Sequence, residues 1–284
     1  MKLHVIHTGN FKLDGGAMHG VVPKSLWESW NPADENNMCS WAMRCLLVED
    51  GDRAVLIDNG IGNKQNERFF GFYFLHGENS LEGSLKKAGF GLDDITDNFL
   101  THLHFDHAGG GVRWKQGTTD VPEMTFRNAR YWSNEAHWDW AIHPNAREKA
   151  SFLNENLLPM QESGHLHMID IKAEKPTLDG LFEVITVDGH TDKQMLPKIS
   201  YKGHTIVFVA DLIPSVAHIP VAWVISYDTR PLLTMDEKSA FLEQAADEGW
   251  VLFFEHDAQH ECATVKRTPK GIRLDKTFPL SDLG

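Results

Sequence analysis

Residues 99–111 read Phe99-Leu100-Thr101-His102-Leu103-His104-Phe105-Asp106-His107-Ala108-Gly109-Gly110-Gly111, and four of the six positions from 102 to 107 carry side chains able to bind a metal. The apolar pair before the motif reads as the end of a strand. Alternate side chains of an extended segment share a face, so His102 and His104 point together. The turn into the glycines swings Asp106 and His107 toward a neighbouring point, and one short stretch can therefore serve two adjacent cations. Imidazole nitrogen and carboxylate oxygen suit zinc, and also iron, manganese or cobalt, and no cysteine lies nearby to close a structural zinc site. Open coordination positions are what hydrolytic chemistry needs. The plain alternative is a histidine-rich surface loop, in a chain that carries 16 histidines.

Six residues cannot complete two coordination spheres, so further ligands are expected downstream at strand ends. Three positions qualify. His190 follows the alternation Leu181, Val184, Ile185, Val187 and sits in Asp188-Gly189-His190-Thr191, where the glycine lets backbone approach a ligand. Asp211 ends the apolar run 205–210, and His256 ends Val251-Leu252-Phe253-Phe254 with Glu255 between. Each alone has an ordinary reading, a helix cap for Asp211 and a core-edge histidine for the other two. Their common place at strand ends, in this order, favours the metal reading.

With this ligand order the chain resembles the metallo-β-lactamase superfamily over about residues 40–260. The resemblance implies a four-layer αβ/βα sandwich of class α/β, with one metal held by His102, His104 and His190 and the other by Asp106, His107 and His256, and with Asp211 bridging. It implies that Asp58, at the strand end Leu56-Ile57-Asp58-Asn59-Gly60, orients a ligand histidine from behind. The segments Leu13-Asp14-Gly15-Gly16-Ala17-Met18, Val22-Pro23-Lys24 and Phe254-Glu255-His256-Asp257 resemble the group that holds the quorum-quenching N-acyl homoserine lactone lactonases and the methyl-parathion hydrolase type of enzyme.

Two divalent cations about 3.5–4 Å apart share a water, lower its pKa and polarise the substrate oxygen, so the expected nucleophile is a bridging hydroxide. Zinc is the first choice of metal. Asp106 is the expected catalytic residue: it positions that water and passes a proton to the leaving alkoxide. No Gly-x-Ser-x-Gly elbow and no Walker-type phosphate loop offers another route. The preferred substrates are lactones or other carboxylic esters. Organophosphate triesters or β-lactams are the alternative, and a non-catalytic metal-binding or sensing protein is the third reading.

For substrate contact the expected residues are His218, Ser215 and Phe70. Many acyl homoserine lactonases carry a tyrosine three residues after the bridging aspartate, where this chain has Pro214, so Ser215 or His218 is expected to supply the missing donor. Phe70 belongs to the aromatic run Phe69, Phe70, Phe72, Tyr73, Phe74, which either walls an apolar pocket or packs a helix on the core. Trp132, Trp138 and Trp140 form a second group with the same two readings.

The whole chain agrees. Its 284 residues can form one large domain, 1–284, and no linker or low-complexity tract divides them. A net charge of −13 leaves no basic footprint for nucleic acid. Three cysteines, Cys39, Cys45 and Cys262, are an odd number and read as reduced packing residues. The N-terminal residues 1–7 alternate like a strand and lack a signal-peptide core, and no run approaches the roughly twenty apolar residues of a membrane span. A soluble cytoplasmic enzyme acting on a small molecule is expected, with apolar residues near 18–22 and the segment 213–223 forming either a homodimer face or a pocket lid.

Periodicity predicts strands at 42–49 and 53–58 joined by Asp50-Gly51-Asp52, a helix over 80–88 stopped by Gly89, and a strand over 97–102. It then predicts a short helix after Gly111, a strand at 130–132, helices at 134–141, 145–157 and 236–248, and a stop at Gly249.

Overall fold

The Asp50-Gly51-Asp52 signal closes a hairpin: Met38–Asp50 and Arg53–Ile57 pair antiparallel with Asp50 opposite Arg53, and Gly51 takes the positive φ of 58° that tight hairpin turns require. The computed structural model describes residues 1–283. Each of its two packing units is assembled from two stretches of chain, Met1–Gly9 with Met43–Pro176 and Asn10–Ala42 with Thr177–Gly284. Because neither unit is continuous, no linker marks their boundary in the sequence.

In the first unit the strands β1 (Lys2–Asp14), β2 (Met38–Asp50), β3 (Arg53–Ile57), β4 (Asp97–Phe99), β5 (Val112–Trp114), β6 (Pro122–Met124), β7 (Arg130–Ser133) and β8 (Leu166–Met168) follow in sequence, the far ends of β1 and β2 belonging to the second unit. Six of them form a sheet in the order β1-β2-β3-β4-β7-β8, while β5 and β6 make a separate ribbon. From β3 onward the pairs are parallel, with Ile57 opposite Phe99 and Phe99 opposite Trp132. Parallel strands need crossovers, and the helices Leu81–Lys87 and Asn154–Glu162 lie in them. Leu47, Leu56, Leu85, Leu100, Leu103, Tyr131 and Leu157 pack into one core and are fully buried.

The second unit carries β9 (Glu183–Val187), β10 (Gln194–Tyr201), β11 (His204–Phe208), β12 (Val251–Phe253), β13 (Cys262–Thr268) and β14 (Gly271–Phe278), in the order β14-β13-β12-β11-β10-β9. The β11–β12 pair is parallel and the rest antiparallel. Lys202 and Gly203 both take positive φ at the β10–β11 turn, as a two-residue type I′ hairpin demands. The helix Pro231–Glu248 supplies the β11–β12 crossover. Its buried positions Thr234, Lys238, Phe241, Leu242 and Ala245 form one stripe, and Gly249 closes it in the left-handed region.

Several boundaries differ from the sequence reading. The long helix begins at Pro231 rather than at 236, since proline fits a first helical turn. The short helix expected after Gly111 lies before it, at Phe105–Ala108, and residues 112–114 join a strand. Over 145–152 the chain turns instead of forming a helix. There the Asn145 side chain accepts the backbone N–H of Arg147 and of Glu148, which competes with helical bonding. Among the described residues, no helix is long and apolar enough to cross a membrane. All three cysteines are buried.

Candidate metal centre

In the first unit the chain leaves β4 through Thr101, whose N–H and hydroxyl both donate to Asp58, at 2.7 Å each. Asp58 follows β3 directly, is fully buried and has a positive φ of 56°. His107 Nδ1 lies 3.0 Å from the same carboxylate, so its N–H donates there and Nε2 keeps its lone pair. The Thr101 hydroxyl proton is committed to Asp58, hence Thr101 Oγ1 accepts from His102 Nδ1 at 3.1 Å and His102 Nε2 is left as a ligand atom. That nitrogen faces His104 Nδ1 at 3.1 Å. Asp106 stands on the helical turn after His104, and its side chain is 14% exposed, with Oδ2 3.8 Å from His107 Nε2.

The glycines beyond the motif serve close packing. A Cβ on Gly109 would strike the Ile61 carbonyl and one on Gly110 the Asn59 carbonyl. Lys64 is buried beneath them and donates to the carbonyls of Gly109 and Val112; burial pushes its ammonium down to about 7. The aromatic run packs beside the motif: Phe69 and Tyr73 lie against Phe105 at 5.2 and 4.8 Å between ring centres. Phe70 is half-buried edge-on to Phe69, while Phe72 and Phe74 are exposed. In the second aromatic group, Trp132 donates to Asp97, Trp138 is buried in the core, and Trp140 donates to Glu148.

In the second unit His190 follows β9. Its Nδ1 is 3.0 Å from Asp228 and its Nε2 is 3.1 Å from Asp211 Oδ2. The other oxygen of Asp211 is 3.1 Å from His256 Nε2, and His256 Nδ1 donates to the Ala42 carbonyl at 2.8 Å. Asp211 thus spans two imidazoles with one oxygen each. Burial alone pushes the His190 imidazole down, but Asp211 and Asp228 outweigh it and lift it to about 10, so the surroundings demand a positive charge. The Asp188-Gly189 bend that presents His190 is held by Glu237, whose carboxylate accepts both backbone N–H groups.

Four histidines of the predicted set therefore share one arrangement. Thr101, Asp58, Asp228 and the Ala42 carbonyl take up Nδ1 of His102, His107, His190 and His256, which fixes the tautomer and frees Nε2. This donor set fits divalent cations with nitrogen and oxygen preference, zinc among them. Asp228 was not singled out from sequence, because nothing in Tyr227-Asp228-Thr229 marks it.

His218 and Ser215 are placed otherwise than as open donors. Both are fully buried; His218 Nε2 donates to the Met18 carbonyl at 2.7 Å and Nδ1 accepts the Ser215 hydroxyl at 2.8 Å. The His218 ring stacks on His19 at 4.7 Å, and His19 stacks on Trp27 at 4.8 Å. Burial drives the His19 imidazole down to about 4, with Asn31 the neighbour that favours its protonated form. Burial also lowers His218, with help from His19 and Lys238. Lys238 donates to the carbonyls of His218 and Trp223 from the buried stripe of the long helix.

Comparison with known proteins gives one family. The sequence model of the Metallo-beta-lactamase superfamily matches residues 44–256. The N-acyl homoserine lactonase AiiA of Bacillus thuringiensis subsp. kurstaki is 24% identical over 275 residues, 92% of this chain and 94% of the relative. Among solved structures, a probable metal-dependent hydrolase from Staphylococcus aureus is 27% identical with a TM-score of 0.86, over 98% of this chain and 96% of the other. AidC, a dizinc quorum-quenching lactonase in complex with a product, is 25% identical with a TM-score of 0.76, over 98% and 97%. The two sheets with their helices are those of the metallo-beta-lactamase fold.

Proposed function

The chain belongs to the metallo-beta-lactamase superfamily and is one of its hydrolases, and we propose that it opens lactones, N-acyl homoserine lactones foremost, as a single dinuclear metal-dependent domain. His102, His104 and His190 would hold one cation, Asp106, His107 and His256 the other, and Asp211 both. The observation that carries the reading is the Asp211 carboxylate, which sets one oxygen 3.1 Å from each of two imidazole nitrogens whose opposite nitrogens are already engaged. A carboxylate so placed is suited to bridge two ions. A cation pair held there, zinc by preference, would supply Lewis-acid activation of water and of the substrate's acyl group.

The chain's own residues do the rest. Ring opening adds water across the acyl C–O bond, and one proton must reach the departing alkoxide. Asp106 is partly open to solvent, unlike His102 and His107, and is the residue that holds that proton and delivers it. Phe69 and Tyr73 pack against Phe105, inside the motif, Phe70 packs on Phe69, and together they form an apolar surface for an acyl chain. The names of the relatives support the lactone class. With both ring nitrogens of His218 engaged internally, its contribution is to shape the 213–223 loop.

The test is metal analysis joined to a substrate panel: acyl homoserine lactones, simple γ- and δ-lactones, a paraoxon-type triester and a β-lactam. We expect two metal ions per chain, fastest turnover on the lactones, and loss of all turnover on chelation with recovery on adding zinc. Metal content near zero after growth in replete medium, or a triester or β-lactam hydrolysed faster than every lactone, overturns the proposal.

A further inference from the structure

We propose that Glu148 is a positioning residue that sets which nitrogen of His104 is available to a metal; the inference rests on the dinuclear reading above. His104 is the exception among the histidine ligands. It turns Nδ1, not Nε2, toward the ligand atom of His102, and its Nε2 lies 3.3 Å from Glu148 Oε1. For Nδ1 to present a lone pair, the ring proton must sit on Nε2, and a proton there needs an acceptor. Glu148 is that acceptor. Its side chain is only 3% exposed, and its second oxygen accepts from Trp140 Nε1 at 2.8 Å and Asn145 Nδ2 at 2.6 Å, so Oε1 is the oxygen directed at His104.

The surrounding stretch grips the motif on both sides. Leu103 N–H donates to the buried His137 Nε2 at 2.9 Å, and Phe105 N–H donates to the Ser151 carbonyl at 3.0 Å. Three successive motif residues, Leu103, His104 and Phe105, are thus each held by the segment from His137 to Ser151. The turn at Asn145 that replaces the predicted helix is what brings Glu148 inward.

The test measures zinc affinity of Glu148→Gln by competition with a chromogenic chelator, beside urea unfolding and the visible spectrum of the cobalt-substituted protein. The parent is measured first. We expect Glu148→Gln to unfold at the parent's urea concentration, to bind one of two zinc ions about 10- to 100-fold more weakly, and to show altered cobalt bands. Two ions bound as tightly as in the parent, with an unchanged spectrum, overturn the role of Glu148 alone. A parent that binds no zinc overturns the metal centre instead. Should Glu148→Gln fail to fold, Trp140→Phe decides the matter. That variant removes one donor from Glu148 and is expected to weaken the same site by a smaller factor, and unchanged affinity there refutes the proposal.

Discussion

Replacing His19 with phenylalanine should remove much of the acid sensitivity of the second unit. His19 is fully buried between Trp27 and His218, and its imidazole is held at about 4 against an ordinary value of 6.5. Between those two pH values the unfolded chain takes up a proton that the folded chain refuses. Acid therefore favours unfolding, and stability rises with pH across the window. At pH 5 the unfolded ring is almost fully protonated and the folded ring about one-tenth so, a difference of about 2 kcal/mol; at pH 7.5 the same linkage is about 0.1 kcal/mol. Phenylalanine keeps a flat ring against Trp27 and has no proton to gain. The assay is urea unfolding of parent and His19→Phe at pH 7.5 and pH 5, at fixed metal concentration. The titrations of groups that His19 does not influence largely cancel in the difference between the two proteins, and His218, which His19 helps to lower, changes that difference in the same direction when His19 is removed. On going from pH 7.5 to pH 5, the parent should lose about 2 kcal/mol more than the variant. Parallel losses would refute the reasoning, because they would mean that the folded His19 accepts its proton as readily as the unfolded one.

Two further outcomes are expected in the second unit. Asp228→Asn removes the charge behind His190 while keeping its shape, and zinc affinity measured by chelator competition should fall about 10- to 100-fold with the unfolding midpoint little changed. Gly189→Ala places a methyl group against the backbone nitrogen and Cα of Thr234, atoms of a helix that cannot yield like a side chain. A stability loss of about 1–3 kcal/mol should appear in urea unfolding, and a neutral result would show that the bend and the helix move apart freely.

The donors of the motif were legible because their information is local. His102, His104, Asp106 and His107 fall within six residues just beyond the strand that ends at Phe99, and periodicity marks the strands that precede the candidate donors His190, Asp211 and His256. The hairpin at Asp50-Gly51-Asp52 was legible for the same reason. Helix 236–248 was recognised by its stripe and its Gly249 stop, though its first turn was hidden behind Pro231. Residues 145–152 depart from the predicted helix, whose last turn is present from Asn154, because an asparagine side chain captures backbone N–H groups that a helix would have used. His218 looked like a candidate donor from its distance to Asp211, yet its two nitrogens are occupied by Met18 and Ser215.

Residue type and short-range spacing were enough to mark the candidate metal donors of this chain, because such donors are few in kind and cluster in a short stretch and after strand ends. Tertiary structure alone decided which nitrogen His104, His107, His190 and His256 offer. That choice depends on the group behind the ring, and those groups are reached through packing: Asp58 is 49 residues from His107, Glu148 is 44 from His104, Asp228 is 38 from His190, and the Ala42 carbonyl is 214 from His256. No periodicity spans such separations. The proton of a buried ring settles where an acceptor has been brought to it, and only the folded chain brings it there.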